Sequence, residues 1–343
     1  MKALSGTIED DAAPRVLMSP GPGDAMPNPY NRLLVESISS GASVRPFTWR
    51  SALFARYDVL HLHWPEALIF STSRLRANLK ISLLRLLMIR LRLSSSVVVW
   101  TVHNELPHEE VPHRAARALD AMTSATSARI HLNRTSAVSD AFISRKGRDV
   151  VIPHGTYPGG DPGMVAPQEG ALLFFGSIRP YKGIDRLLAA FRDVHAVARL
   201  RVIGQASDRV LADRLKNLAS ADERVSLSFR YFDDCDLDEE IAHAAGVVLP
   251  YSAMTNSGVA LLALSRDRPI LAPAVPAILE LQEEVGADWV STFEGAVSGN
   301  DLEEFLVTLR SPRAASPDLQ GRDWEAIAAL HLRLYHELIR DAA

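Results

Sequence analysis

The chain has 343 residues, 47% of them apolar, with 37 Lys and Arg against 41 Asp and Glu and a formal net charge of −4. That length suits two domains of ordinary size, and the charge offers no bulk attraction to nucleic acid. The single cysteine, Cys235, excludes an internal disulfide and a cysteine-based zinc site and fits a reducing cytosol.

Residues 1–14 are polar and acidic, without the apolar segment of a secretory signal, and are expected to be a disordered lead-in. "RVLMSP" reads as a first strand, "NPYNRLLVESISSG" as a helix with Gly41 near its end, and "SVRPFTW" and "DVLHLHWPE" as strands two and three. "SSVVVWTVHN" is a β-branched fourth strand, and "ARIHLN", "AVSDAFISRKG" and "DVVIPHG" follow as strand, helix and strand. The Pro/Gly-rich "YPGGDPGMVAPQEG" is a linker candidate. The alternation then restarts with "ALLFFGS" (strand), "GIDRLLAAFRDV" (helix), "ARLRVIG" (strand), "DRVLADRLKNLA" (helix) and "VSLSFRYF" (strand). It closes with "DLDEEIAHAA" (helix), "GVVLPY" (strand), "GVALLALSRD" (helix), "PILAPA" (strand) and a long amphipathic helix, "DWEAIAALHLRLYHELIRD". Strands separated by helices predict parallel sheets covered on both faces. The expected fold class is α/β, with two Rossmann-like domains facing each other across a cleft. The expected boundaries are 15–160 for an N-terminal acceptor domain, 161–320 for a C-terminal donor domain and 321–343 for a helix that packs back across them.

Two strand-to-helix junctions carry the chemistry of the C-terminal half. In "FGSIRPYKGID", Gly176, Arg179 and Lys182 stand between a strand and a helix start. Helix N-termini hold unsatisfied N–H groups and attract anions. A bidentate guanidinium and a compact ammonium beside them would strengthen that attraction. A surface loop with two solvated cations is the other reading. In "PYSAMTNSGVALLALSRDRPILAP", the Ser257–Gly258–Val259 stretch is either an ordinary helix cap or a second anion cradle.

These stretches resemble the donor-phosphate region of GT-B glycosyltransferases, in particular the large family 4. "VSLSFRYF…LDEEIAHAAGVVLPY" resembles the strand, helix and strand that come next, and "VIPHG" the end of the N-terminal domain. The resemblance implies that Lys182, with Arg179 and Gly176, contacts the diphosphate of a nucleotide sugar. It also implies that Tyr251, Thr255, Asn256, Ser257, Gly258 and Val259 line the donor pocket. Arg179 is shifted, because Ser177 stands where the family places its Arg. The family's two glutamates, eight residues apart, fall on Thr255 and Ala263, so both carboxylates are missing. The departure points to a divergent branch, such as the bacterial exopolysaccharide mannosyl- or glucuronosyltransferases.

In the N-terminal half, the "GPGDAMPNPYNRLL" loop offers Asn28 and Tyr30 as contacts to the reacting sugar. "HLHWPE" sets His61 and His63 on one side of a strand with Glu66 at its carboxyl end, and "TVHNELPHE" brings His103, Asn104 and Glu105 to the end of the next. An inverting transferase needs a base for the acceptor hydroxyl, and His103, Glu105 and Glu66 are the candidates. A retaining one needs none, and His103 would then orient the sugar. His61 and His63 lack a recognised zinc spacing, so no metal and no other cofactor is expected.

Between Ala67 and Asn104 there is no acidic residue but six basic ones: Arg74, Arg76, Lys80, Arg85, Arg90 and Arg92. Residues 73–93 are otherwise rich in Leu and Ile and would suit an anionic membrane surface or an ordinary packed helix. On a helical wheel the cations fall into two groups on roughly opposite sides. No run approaches the ~18 apolar residues of a membrane span, so a cytoplasmic protein is expected, working at the inner face of the membrane if 73–93 binds lipid. The expected activity is transfer of a sugar from a GDP- or UDP-linked donor to a hydroxyl acceptor, such as a lipid-linked or polysaccharide precursor. The alternatives are a sugar-nucleotide epimerase and an inactive nucleotide-sugar-binding scaffold.

Overall fold

A computed structural model describes residues 12–19, 29–69, 71, 73–103, 113–138, 147–159, 166–252 and 257–343. The chain divides into two compact units. The first takes the described residues up to Leu132, Ala137–His154 and Trp324–Ala343, and the second takes Asn133–Ser136 and Gly155–Asp323. The divisions fall at 154/155 and 323/324, against 160/161 and 320/321 expected from the texture of the sequence.

The first unit is built on β1 (Arg15–Ser19), α1 (Pro29–Ile38), β2 (Ser43–Pro46), α2 (Trp49–Phe54), β3 (Val59–Leu62) and α3 (Arg74–Arg92). β4 (Val97–Val102), α4 (His113–Ser124), β5 (Ala128–His131), α5 (Arg134–Ala137) and β6 (Arg148–Val151) follow. All its strands pair in parallel, in the order β2-β1-β3-β4-β5-β6. β3, β4 and β5 are buried along their whole length, as parallel strands covered on both faces must be.

The second unit holds β7 (Ala171–Phe175), α6 (Ile184–Arg192), β8 (Arg199–Ile203), α7 (Arg209–Ala219), β9 (Val225–Ser228) and α8 (Asp234–His243). β10 (Gly246–Val248), α9 (Gly258–Leu264), β11 (Ile270–Pro273), α10 (Pro276–Val285), β12 (Val290–Phe293) and α11 (Gly299–Thr308) complete it. Its sheet runs β12-β11-β10-β7-β8-β9, again all parallel. Counted from β7, this is the doubly wound order of dinucleotide-binding domains. The last helix, α12 (Trp324–Ala342), belongs to the first unit, where Ile327, Ala328, Leu334, Tyr335 and Leu338 complete the core under α1 and β1.

Trp49 starts α2 instead of ending β2, because the Thr48 side chain accepts from the Ser51 N–H at 3.0 Å and caps a new helix. The predicted helix over 137–147 is represented only by α5, since 139–146 lie outside the described residues.

One buried charge ties the edge of the first sheet. Arg129 on β5 is fully buried and donates through Nε and Nη2 to Asp149 on β6, both at 2.7 Å. His131 shares the same carboxylate at 2.7 Å. Burial pushes the Asp149 carboxyl up, but bonds and charge from Arg129 and His131 outweigh it, so its pKa lies below the ordinary value. The stability this contributes is complete above the unfolded value near ~3.9 and is lost as pH falls through the lower folded value. Asp149→Asn leaves a buried guanidinium without its charge partner, and is expected to cost about 3 kcal/mol at neutral pH and much less at pH ~3. Urea unfolding of both chains at the two pH values checks this.

Candidate functional site

In open α/β sheets, ligands bind beyond the carboxyl ends of the strands where the strand order reverses. In the second unit that point lies between β7 and β10. The loop after β7 runs through Gly176 and a short 3-10 turn, Pro180–Lys182, into α6. Gly183 joins turn to helix with φ 66°, and a Cβ there would overlap the Pro250 carbonyl oxygen. Glycine therefore lets the start of α6 press onto the segment leaving β10. Gly204, after β8, has φ 136° and meets the Gly176 carbonyl in the same way.

This close approach brings Lys182 against Tyr251, 69 residues away, with Nζ donating to the phenol oxygen at 3.0 Å. The ammonium also stands 4.6 Å from the Tyr251 ring centroid and 6.0 Å from that of Phe174. Lys182 is 7% exposed. Burial, then the charge of Arg179, lowers its pKa to about 8, so it stays cationic at neutral pH. Burial also pushes the Tyr251 phenol far up, keeping it neutral. Among the described residues no carboxylate pairs with Lys182. A buried cation whose hydrogen-bond partner among the described residues is a neutral phenol can take up an anion.

The other donor-side candidates gather around it. A Cβ on Gly176 would lie 3.6 Å from Lys182 Nζ and 3.5 Å from Val259 Cγ2, so the bare glycine backbone faces both. Ser257 caps α9, its hydroxyl accepting from the Ala260 N–H at 3.1 Å, while Gly258 and Val259 form the first turn. Arg179 is exposed at the head of the 3-10 turn. Thr255 and Asn256 lie outside the described residues. Ala263 is fully buried in the core, so a carboxylate at that position would have nowhere to go.

In the first unit the strand order reverses between β1 and β3. Asn28 and Glu105, with Asn104, lie outside the described residues. Tyr30 is not in a loop but buried in the first turn of α1, with the rings of His63, His103, His154 and Trp324 centred 4.7–5.8 Å away. His103, just past β4, stacks on Trp64 at 4.2 Å, and its Nε2 shares a hydrogen bond of 3.0 Å with His63 Nδ1. His61 bridges Tyr335 Oη at 2.7 Å and Thr101 Oγ1 at 2.8 Å. The imidazoles thus bond to one another and to hydroxyls, and among the described residues no group of three or more His, Cys, Asp or Glu is placed to hold a metal ion. Burial and neighbouring imidazoles hold His61 and His63 well below the ordinary value, and burial with His154 lowers His103 to about 3. Glu66 sits in a 3-10 turn, Pro65–Leu68, rather than on the strand, and burial pushes its carboxyl up. Sequence reasoning named His63 on the strand without a role in this cluster and passed over Trp64 and His154. The alternation in "HLHW" was a signal for His63, whereas nothing local marked His154.

Residues 169–306 match a protein-family model described as "Glycosyl transferases group 1". A GDP-mannose:glycolipid 4-beta-D-mannosyltransferase of Xanthomonas campestris pv. campestris is 38% identical over 336 residues, spanning 96% of this chain and 94% of that protein. Among solved structures, a sucrose-phosphate synthase from Thermosynechococcus elongatus aligns with a TM-score of 0.63 at 19% identity, covering 94% of this chain and 82% of its own. Anabaena HepE in complex with UDP and glucose aligns with a TM-score of 0.59 at 16% identity, covering 96% and 98%. These structures share the GT-B fold with this chain. Neither the epimerase nor the scaffold alternative is favoured by these matches.

The buried ammonium predicts a stability trade. Its folded pKa, about 8, lies below its ordinary 10.5, so the folded state is penalised in full below pH 8 and relieved as pH rises toward 10.5. The gap corresponds to about 3 kcal/mol, less about 1 kcal/mol for the bond to Tyr251. Lys182→Met is therefore expected to stabilise the ligand-free protein by about 2 kcal/mol at pH 7. The gain should shrink in alkaline solution. Denaturant melts across pH 6–10 check it, and a destabilised variant at pH 7 would contradict the assignment.

Proposed function

The chain belongs to the group 1 glycosyl transferases, and from that membership we propose that it moves mannose from GDP-mannose to a hydroxyl of a glycolipid at a membrane face, with inversion at the anomeric carbon. The observation that carries this reading is the near full-length identity to a relative whose name specifies that donor, a glycolipid acceptor and a β product. GDP-mannose holds its sugar in the α configuration, so a β product requires displacement from the opposite face.

In that displacement the acceptor oxygen bonds to the anomeric carbon while the carbon–phosphate oxygen bond breaks, and GDP leaves with the electron pair. Negative charge grows on the diphosphate. Lys182, already stripped of water, stabilises it without reorganising, and Arg179 adds a second cation from the exposed end of the same turn. The first-turn N–H groups of Gly258 and Val259 are free to face a phosphate, since Ser257 spends its hydroxyl on the cap.

The acceptor proton needs a base whose pKa lies near the working pH. Glu66, raised by burial, fits better than His103, which burial and His154 hold near 3. We assign Glu66 as the base and His103, fixed by Trp64 and His63, as a group that orients a sugar. Asn28 and Glu105 are left as acceptor-side candidates, Thr255 and Asn256 as donor-side candidates, and Tyr30 as packing within the first unit.

Calorimetry with GDP, UDP, ADP and dTDP tests the donor site. GDP should bind, and Lys182→Ala should weaken it about 10–100-fold, the worth of a hydrogen bond to a charged group. Binding of UDP alone would move the donor to a UDP-sugar. Transfer from GDP-mannose to extracted glycolipid tests the reaction. Glu66→Gln should lower kcat by about 10²–10⁴ with GDP affinity intact and the acid limb of the pH profile removed.

A further inference from the structure

α3 carries two apolar faces. Ile81, Leu84 and Leu87 are buried in the first unit's core. On the other side, Leu75 is 81% exposed, Leu79 60%, Leu86 52%, Ile89 53% and Leu93, just past the helix, 83%. At about 100° per residue, these five fall within about 40° of one line along the helix. Phe54, at the end of α2, is 82% exposed, and the next carbonyl, Ala55 O, is held by Arg90 of α3. Ser82 is exposed on the same line, its hydroxyl turned back onto the Asn78 carbonyl at 3.1 Å. Scattered single apolar residues on a surface need no explanation, but five of them aligned about one small polar residue do.

The charged residues settle what covers it. Arg76 lies about 100° to one side of the stripe, and Arg85 and Arg92 about 80–100° to the other. All three are exposed, and none forms an ion pair among the described residues. The two groups that look opposed on a bare wheel thus flank one exposed apolar line. Arg90 does not join them, because its guanidinium also lies 4.4 Å from the Tyr57 ring centroid. No acidic residue occurs between Ala67 and Asn104. A second protein copy bringing the same face would place cations against cations. An anionic lipid surface would take the apolar line into its acyl boundary and the arginines at its headgroups.

We propose that α3 is an in-plane membrane anchor, seating the line from Leu75 to Leu93 in an anionic bilayer surface with Arg76, Arg85 and Arg92 at the phosphates. No described helix is long and apolar enough to cross a membrane, so this contact lies on the surface. It deepens the glycolipid reading above, since an acceptor held in a bilayer must be met there, but its test needs neither donor nor acceptor.

The whole protein is sedimented with phosphatidylcholine vesicles prepared with or without phosphatidylglycerol. Wild type should co-sediment with the anionic vesicles and stay mostly in the supernatant with the neutral ones. Neutralising Arg76, Arg85 and Arg92 to Gln should weaken partitioning by about fivefold per residue. Leu79→Glu with Leu86→Glu should weaken it by at least about tenfold. Far-UV circular dichroism and urea melts, unchanged in both variants, verify that they are folded. Wild type that ignores anionic vesicles, or variants that partition like wild type, overturn the anchor. So does a dimer by light scattering that the leucine variant turns into monomer, which would assign the stripe to a second copy. Vesicle binding that holds while GDP-mannose is not used would leave the anchor standing and remove the functional reading.

Discussion

The second unit is organised around an ammonium that has no counter-ion among the described residues. Lys182 is buried and bonded to a neutral phenol, an arrangement that costs the empty protein stability. The fold imposes it through backbone contacts that only glycine allows. Gly183 lies against Pro250 and Gly204 against Gly176, so the loops after β7 and β10 close on each other at the reversal of strand order. Stability given up at a site is commonly the mark of function.

The first unit treats its titratable groups in the opposite way. His61, His63 and His103 are packed ring against ring and kept neutral by burial. The phenol of Tyr335 and the hydroxyl of Thr101 fix His61, and through the His61–His63 contact the row of rings is held in place. A displacement at an anomeric carbon asks for these two chemistries. Negative charge must be stabilised on the leaving group, and a neutral or anionic acceptor of protons must wait at the hydroxyl. The second unit carries the cations and the first the uncharged imidazoles and a raised carboxyl.

Much of the fold was legible because both sheets are parallel and covered. "VVVW" and "ALLFF" are unbroken apolar runs, and the helices between them, such as α6 and α7, repeat with a clear period. The misses have physical causes. α2 was hidden because Phe47 and Trp49 favour strands, while the Thr48 cap that starts the helix is one hydroxyl. α10, β12 and α11 went unread because α10 opens on Val275 with no side-chain cap and β12 is a four-residue edge strand. At the site, Arg179 and Lys182 could be picked out beside glycines. That Lys182 would meet Tyr251, or His61 meet Tyr335 across 274 residues, follows only from the topology. α3 was ambiguous for a related reason: a wheel counts leucines all round, and only the packed sheet says which of its two apolar faces is taken.

The missing carboxylates bear on stereochemistry. The family 4 pattern, to which the donor region is similar, places one glutamate near the transferred sugar and one at the ribose. Here the second position, Ala263, is sealed in the core on the inner face of α9, so the ribose must be held by other groups of the donor unit. The first, Thr255, has a hydroxyl where a carboxylate would stand. A donor site that supplies only cations, N–H groups and hydroxyls can stabilise a departing diphosphate but cannot neutralise positive charge developing at the anomeric carbon. Any carboxylate that serves that carbon, or the hydroxyl attacking it, must come from outside the donor motif. In the inverting displacement proposed above, where nucleophile and base act on the side opposite the leaving group, Glu66, half-buried with its carboxyl pushed up by burial, would be that carboxylate. Under the inverting course proposed above, the glutamate that family 4 places near the transferred sugar would have no retaining role to fill, which agrees with Thr255 at that position.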